Sequence, residues 1–259
     1  MKKKFTFLFA ALLFLTGCST TVQKHTVKLV EMDEKKELSK HFIPQELSIV
    51  SLGDSLTQGV GDSRDAGGYI PYLKEQLEML KDIRTAKIEN YGVSGNRTDQ
   101  LLKRLKKPEV KKAIEHTDMV MITIGGNDVM KVFREHFANL DLSVFEKAKK
   151  GYEKRLQEIL HTIRNYNPDV YIVLIGIYNP FEKWFEIEEL DHIILDWNKT
   201  SEKIISQFEQ AAYIPIIDIF ENKEEELLYN DQFHPNDRGY ELISNRLFIH
   251  VREYLEMNE

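Results

Sequence analysis

The chain has 259 residues, of which 42% are hydrophobic and 30% are charged, and its formal net charge at pH 7 is −7. This composition is typical of a globular protein and excludes a disordered chain or a low-complexity array. An acidic chain without a basic stripe is not expected to bind nucleic acid, and its one cysteine excludes an intramolecular disulfide framework.

The first 17 residues have the layout of a secretion signal. Three lysines at positions 2–4 precede the apolar run FTFLFAALLFL, which is too short to span a bilayer comfortably. The run leads into LTGC, which resembles the bacterial lipoprotein box with cleavage before Cys18. The resemblance implies a lipidated Cys18 at the extracytoplasmic face of a bacterial membrane. The alternative is a plain signal peptide followed by an incidental cysteine.

Residues 18–45 are polar and highly charged, and we interpret them as the lipidated cysteine and a tether. Residues 46–259 are predicted to form one domain, in which five short apolar strands alternate with amphipathic segments. The predicted strands are ELSIVSLG, AKIENYG, DMVMITIGG, VYIVLIGIYN and YIPIIDIF. The predicted helices cover residues 69–81, 98–116 with an interruption at Pro108, 144–168, part of 181–210 and about 236–256.

This alternation predicts an α/β fold with three layers, in which helices cover both faces of a doubly wound parallel sheet. Three of the strands are near-continuous runs of Val, Ile, Leu and Met, which suits parallel strands buried on both faces. Ligands of such open sheets bind beyond the carboxyl ends of the strands. The loops that follow the strands are therefore the first place to look for chemistry.

Polar residues occupy these loops. Ser55 follows the first strand, Gly95 the second and Asn127 the third, while Asp231 and His234 lie between the fifth strand and the last helix. A serine hydroxyl becomes a nucleophile when a base such as His234 takes its proton, and Asp231 can orient the imidazole and stabilise its charged form. The backbone N–H groups of Ser55 and Gly95 and the amide of Asn127 can stabilise a developing oxyanion.

Each of these features has an ordinary explanation when taken alone. Gly-Asp-Ser is a common turn with a capping serine, Asn127 can cap a helix, and Gly95 can serve only a turn. An Asp-x-x-His sequence is more often a surface pair. Their shared placement, each beyond the end of a strand, favours a catalytic site over four unrelated turns.

Four segments resemble the conserved blocks of the SGNH hydrolases, also called GDSL-type esterases and lipases. They are GDSL with Ser55, NYGVSGNRT with Gly95, GGND with Asn127, and DQFH with Asp231 and His234. The resemblance covers about residues 49–240. It implies a flavodoxin-like sheet of five parallel strands in the order 2-1-3-4-5 and a metal-independent serine hydrolase of carboxylic esters. Among relatives, the chain looks most like bacterial lysophospholipase and acyl-thioesterase types.

The resemblance leaves the substrate open between a lipid acyl ester and an acetylated glycan of the cell envelope. Phe181, Trp184 and Phe185, beyond the fourth strand, are candidates for an acyl pocket or, alternatively, a helix face packed on the sheet. No metal or cofactor is expected, because the histidines lack metal-site spacing and no nucleotide-type glycine loop follows a strand. Two other functions remain open: a catalytically silent envelope-binding lipoprotein, and a flavodoxin-like nucleotide binder, in which Asp54 would repel a phosphate.

Overall fold

The computed structural model describes residues 43–136, 141–180 and 188–257. At its centre is one sheet of five strands: β1 (Gln45–Gly53), β2 (Ile83–Gly92), β3 (Met119–Thr123), β4 (Tyr171–Ile175) and β5 (Ala211–Ile214). Their spatial order is β2-β1-β3-β4-β5, and every neighbouring pair is parallel. The predicted doubly wound parallel sheet and its strand order are therefore confirmed.

Helices cover both faces of this sheet. Those of the described residues are α1 (Ser55–Gln58), α2 (Tyr69–Glu78), α3 (Thr98–Leu105), α4 (Pro108–Glu115), α5 (Gly126–His136), α6 (Leu142–Tyr166), α7 (Glu188–Ile205), α8 (Ile217–Phe220), α9 (Glu224–Leu227) and α10 (Asp237–Met257). Within the described ranges, no helix combines the length and the apolar character needed to cross a bilayer.

Strand side chains alternate between two buried layers. In β1, Val50 and Leu52 pack into the layer formed with α3 to α7, whereas Leu47 and Ile49 pack into the layer formed with α2 and α8 to α10. Because both faces are covered, β3 and β4 are buried at every position. Burial on both faces is the physical reason that these strands read as continuous apolar runs.

The fifth strand differs from its prediction over residues 213–220. The strand is Ala211–Ile214, and Ile217–Phe220 forms the short helix α8 instead. Pro215 has no N–H to donate to a strand ladder, so the ladder ends before it. The apolar Ile219 and Phe220, which suggested a strand, are buried by one helical turn.

Glycine and proline mark two further boundaries, those between β3 and α5 and between α3 and α4. The third strand ends at Thr123, three residues before its predicted end, and Gly126 begins α5, which the sequence pattern did not predict as a separate helix. The predicted helix over residues 98–116 is divided into α3 and α4, with Pro108 as the first residue of α4. This division agrees with the predicted interruption, because proline is tolerated in the first turn of a helix.

Candidate active site

Ser55 is the first residue of α1 and lies immediately beyond the carboxyl end of β1. The strand ends at Gly53, whose φ is +144° and whose missing Cβ would lie 2.1 Å from the carbonyl oxygen of Thr123. Any side chain at this position would collide with backbone. The carboxylate of Asp54 then caps the helix, with Oδ1 accepting from the Leu56 N–H at 3.1 Å. The local sequence thus fixes the backbone that carries the buried Ser55.

Asp54 belongs to a buried chain of polar groups. The Thr123 hydroxyl donates to Asp54 Oδ1 at 2.9 Å, and it also pairs with the Thr57 hydroxyl at 2.8 Å. The Thr57 hydroxyl in turn lies 3.1 Å from that of Tyr69. Burial raises the pKa of Asp54 to about 7, although its hydrogen bonds oppose the rise. The cap of the Ser55 helix is therefore connected to both β3 and α2.

The loops that follow β2 and β3 are joined by Asn127. Its amide nitrogen donates to the carbonyl oxygen of Asn96 at 3.1 Å, and a primary amide has a second hydrogen to offer. Gly95, the neighbour of Asn96, has φ of +76°, and no atom of the described residues lies within 4 Å of its missing Cβ. Ser55 and Asn127 line the same cavity. The structure thus brings together the two predicted side chains at this edge and attaches Asn127 to the loop of Gly95.

A second hydrogen-bond network braces the same two loops. The carboxylate of Asp128, which is buried, accepts from the Thr98 N–H at 2.9 Å and from the Thr98 hydroxyl at 2.6 Å. The guanidinium of Arg155 donates to both Asp128, at 3.0 Å, and the Thr98 hydroxyl, at 2.7 Å. This network holds the first turn of α3 against that of α5, so Asn127 is presented from a fixed helix end.

Arg104 is a residue of the site edge that sequence reasoning missed. Its guanidinium donates to the carbonyl oxygens of Gly53 at 3.3 Å and Tyr91 at 2.5 Å, and to the side-chain oxygen of Asn96 at 3.1 Å. Partial burial lowers the pKa of this guanidinium. Its only sequence signal is a position beside two buried leucines of the amphipathic α3. The contacts join the ends of β1 and β2.

His234 and Asp231 form a hydrogen-bonded pair in the loop before α10. His234 Nδ1 lies 2.6 Å from Asp231 Oδ2, while Asp231 Oδ1 accepts from the backbone N–H groups of Phe233 and His234 at 3.0 Å each. Burial raises the pKa of Asp231, but these hydrogen bonds outweigh it and hold the pKa below its ordinary value. Asp231 is thus an anion, and an ionised carboxylate can only accept hydrogen bonds. The His234 ring is therefore fixed with its hydrogen on Nδ1, and Nε2 is left to accept one.

The His234 loop packs on the segment that follows the Ser55 helix. The missing Cβ of Gly61 would lie 2.4 Å from the carbonyl oxygen of Pro235 and 3.4 Å from His234 Cβ. The Tyr178 hydroxyl also holds this loop, by donating to the carbonyl oxygen of Phe233 at 2.6 Å. Across the part of the chain that the structure describes, no hydrogen bond joins the Ser55 hydroxyl to the His234 ring. Their relative position is therefore set by these backbone contacts.

A mostly apolar cavity opens beside Ser55, between the loops that follow β3 and β4. Its apolar walls are Leu56, Ile124, Met130, Ile177, Tyr178, Pro180, Ile194 and Phe233. Gly126 also lines it, and a Cβ added there would have one close neighbour, Ile177 Cγ2 at 3.8 Å. Phe181, Trp184 and Phe185, the predicted pocket residues, lie outside the described residues, as do Cys18 and the predicted signal segment. Among the described residues, no group of three or more His, Cys, Asp or Glu could hold a metal ion.

The chain has the five-stranded parallel sheet of the SGNH hydrolase fold, and it is a hydrolase of carboxylic esters. The chain belongs to the GDSL-like Lipase/Acylhydrolase family, whose sequence profile matches residues 51–242.

Individual relatives are similar over most of the chain. YpmR of Bacillus subtilis (strain 168) is 35% identical over 252 residues, which cover 96% of each protein. The spore germination lipase LipC of Bacillus licheniformis is 31% identical over 208 residues, which cover 78% of this chain and 94% of LipC. The crystal structure of the lipase Lip_vut3, from a goat rumen metagenome, is 29% identical with a TM-score of 0.70, and covers 78% of this chain and 95% of its own.

Proposed function

We propose that this chain is a lipid-anchored serine esterase that hydrolyses acyl esters at the extracytoplasmic face of a bacterial membrane. The observation that carries the proposal is the 2.6 Å hydrogen bond between His234 Nδ1 and Asp231 Oδ2, in a loop packed against the segment that follows Ser55. This pair leaves Nε2 as the base for the Ser55 hydroxyl. Labelling by a fluorophosphonate probe, located by peptide mass spectrometry, tests the assignment, because the probe must be found on Ser55.

The proposed reaction has two halves. The Ser55 oxygen attacks the ester carbonyl carbon while His234 takes its proton, and Asp231 stabilises the imidazolium. The oxyanion is held by the N–H groups of Ser55 and Gly95 and by the Asn127 amide. His234 then gives the proton to the departing alcohol, which leaves an acyl-enzyme, and a water activated by the same histidine releases the acid. No metal or cofactor is required by any step.

The cavity beside Ser55 favours an apolar acyl chain over an acetyl group. Its walls are chiefly aliphatic and aromatic, and each methylene transferred from water to such a surface contributes about 0.8 kcal/mol. LipC and Lip_vut3 are both described as lipases, which agrees with this choice. Acetylated envelope glycan is the competing substrate.

A chain-length series separates the two substrates. We expect kcat/KM for p-nitrophenyl esters to rise from acetate to hexanoate, by a few-fold or more for each added methylene. Gly126→Leu is expected to lower kcat/KM for hexanoate by about 10- to 100-fold and to change that for acetate by less than about 3-fold, because the new side chain occupies the cavity. For Gly126→Ala, kcat/KM for hexanoate should lie between the values for the parent enzyme and for Gly126→Leu.

Fluorophosphonate labelling of the Gly126 variants is the control for an intact catalytic centre. An enzyme that prefers acetate, with the same preference after Gly126→Leu, would favour the glycan deacetylase instead.

The proposed anchor rests on LTGC and the apolar run before it. More than one acyl chain on Cys18 would hold the protein stably on a bilayer, whereas a single chain gives marginal binding. Cys18→Ser is expected to abolish incorporation of labelled palmitate, and either to release the protein from the membrane fraction or to leave it unprocessed. Palmitate incorporation that is unchanged by the substitution would exclude Cys18 as the lipidated residue.

A further inference from the structure

The loop between α1 and α2, residues 59–68, lies between the Ser55 helix and α10, the helix that follows His234, and is hydrogen-bonded to both. We call it the 59–68 loop. Asp62 organises it from within: its buried carboxylate accepts from the backbone N–H groups of Arg64 at 3.1 Å, Ala66 at 2.9 Å and Gly68 at 3.1 Å. These hydrogen bonds tie Asp62 to the part of the loop that leads into α2.

A buried tyrosine fixes the first part of this loop. Tyr240, on α10, is fully buried, and its hydroxyl donates to the carbonyl oxygen of Val60 at 2.6 Å. The N–H of the same Val60 donates to the carbonyl oxygen of Ser55 at 3.0 Å. Two consecutive hydrogen bonds thus run from α10 to the backbone of the nucleophile.

A second link lies one turn earlier on α10. Asp237 is the first residue of the helix and accepts twice from Ser63, from its N–H at 2.8 Å and from its hydroxyl at 2.5 Å. These hydrogen bonds hold the pKa of Asp237 below its ordinary value, so the group is an anion at neutral pH. His234 lies three residues before Asp237 along the chain.

We propose that Tyr240 and Asp237 are positioning residues that set the separation of Ser55 and His234. The proposal rests on the function proposed above. With no hydrogen bond between the Ser55 hydroxyl and the His234 ring in the described structure, both groups depend on their backbones for alignment. The 59–68 loop is bonded to the Ser55 backbone on one side and to the start of α10 on the other. Small errors in this alignment are expected to lower kcat strongly, because proton transfer from Ser55 to His234 requires hydrogen-bond distance.

Tyr240→Phe removes one hydroxyl and keeps the ring. We expect kcat for p-nitrophenyl butyrate to fall by about 10-fold while KM changes by less than about 2-fold, because substrate contacts are retained and alignment is lost. Fluorophosphonate labelling should slow by a similar factor. Tyr171→Phe is the matched control, because Tyr171 is also a buried tyrosine and its hydroxyl pairs with His250 at 2.7 Å, at the amino end of β4 and so at the opposite edge of the sheet from the site. It should leave kcat and labelling unchanged.

A second variant guards against a folding defect in Tyr240→Phe. Asp237→Asn lies at the surface end of the same connection and should lower kcat by about 3- to 10-fold, again without a matching rise in KM. Equal kcat in Tyr240→Phe, Asp237→Asn and Tyr171→Phe would overturn the positioning role. If the probe instead fails to label Ser55 in the unmodified protein, the proposed function itself is wrong, so the two failures are distinguishable.

Discussion

Ser55→Ala is expected to lower kcat for p-nitrophenyl butyrate by about 10⁴- to 10⁶-fold, because no other group can form the acyl-enzyme. Fluorophosphonate labelling should disappear at the same time. The substitution removes one oxygen at a position whose backbone is held by the Asp54 cap, so the melting temperature should change little. Rate, labelling and melting temperature, measured on one preparation, separate a lost nucleophile from a lost fold.

Ser206→Ala is a suitable control for this experiment. Ser206 is an exposed serine just beyond the end of α7, with its hydroxyl bonded to the Lys203 carbonyl oxygen. It should retain full rate and labelling. Labelling of Ser55→Ala at the normal rate would show that another residue is the nucleophile. An unmodified protein that neither hydrolyses esters nor reacts with the probe would favour the silent envelope-binding lipoprotein.

Asp231→Asn is expected to lower kcat by about 10⁴-fold while the domain stays folded. The asparagine oxygen can still accept from the N–H groups of Phe233 and His234, which Asp231 Oδ1 accepts now. Its NH₂ group would then face His234 Nδ1 and donate to it. The imidazole would carry its hydrogen on Nε2 instead, and this nitrogen could no longer accept the proton of Ser55.

The stability of Asp231→Asn should depend on pH in one direction. Because the pKa of Asp231 is held below its ordinary value, the ionised carboxylate stabilises the native state above about pH 4, and this contribution is lost as the pH falls further. The melting temperature of Asp231→Asn should therefore be lower than that of the parent at pH 7, and the two melting temperatures should converge under acid conditions. Asp218→Asn, which breaks an ion pair with Arg246 elsewhere on the surface, is the control and should keep normal kcat. Near-normal turnover by Asp231→Asn would indicate that another carboxylate orients His234.

The parts of this fold that the sequence predicts best are those governed by local pattern. β3 and β4 are near-continuous apolar runs, and a glycine lies at, or within two residues beyond, the end of each of β1, β3 and β4. Placing Asn127 beside Ser55 required only the parallel sheet and its strand order, because both residues follow neighbouring strands. The predicted extent of the fifth strand was wrong for a local reason as well, because the apolar run around Pro215 fits a strand or a buried helical turn equally well.

The remaining parts of the site depend on contacts that no local pattern encodes. Tyr240 and Val60 are 180 positions apart, and the residues joined by Arg104 come from three different segments. An isolated tyrosine or arginine on an amphipathic helix gives no sign of the carbonyl oxygen that it will meet. The predicted pocket aromatics and Cys18 stay predictions, because they lie outside the described residues.

Gly53 and Gly126, on two sides of Ser55, differ in what surrounds them. A Cβ on Gly53 would lie 2.1 Å from a backbone oxygen, whereas a Cβ on Gly126 would meet only Ile177 Cγ2, at an ordinary contact distance of 3.8 Å. The side of the site that carries out bond cleavage is therefore closed to sequence variation, and the side that receives the acyl group is open to it. Laboratory evolution toward new esters should accumulate its substitutions on α5 and the β4 loop, leaving the Ser55 turn untouched.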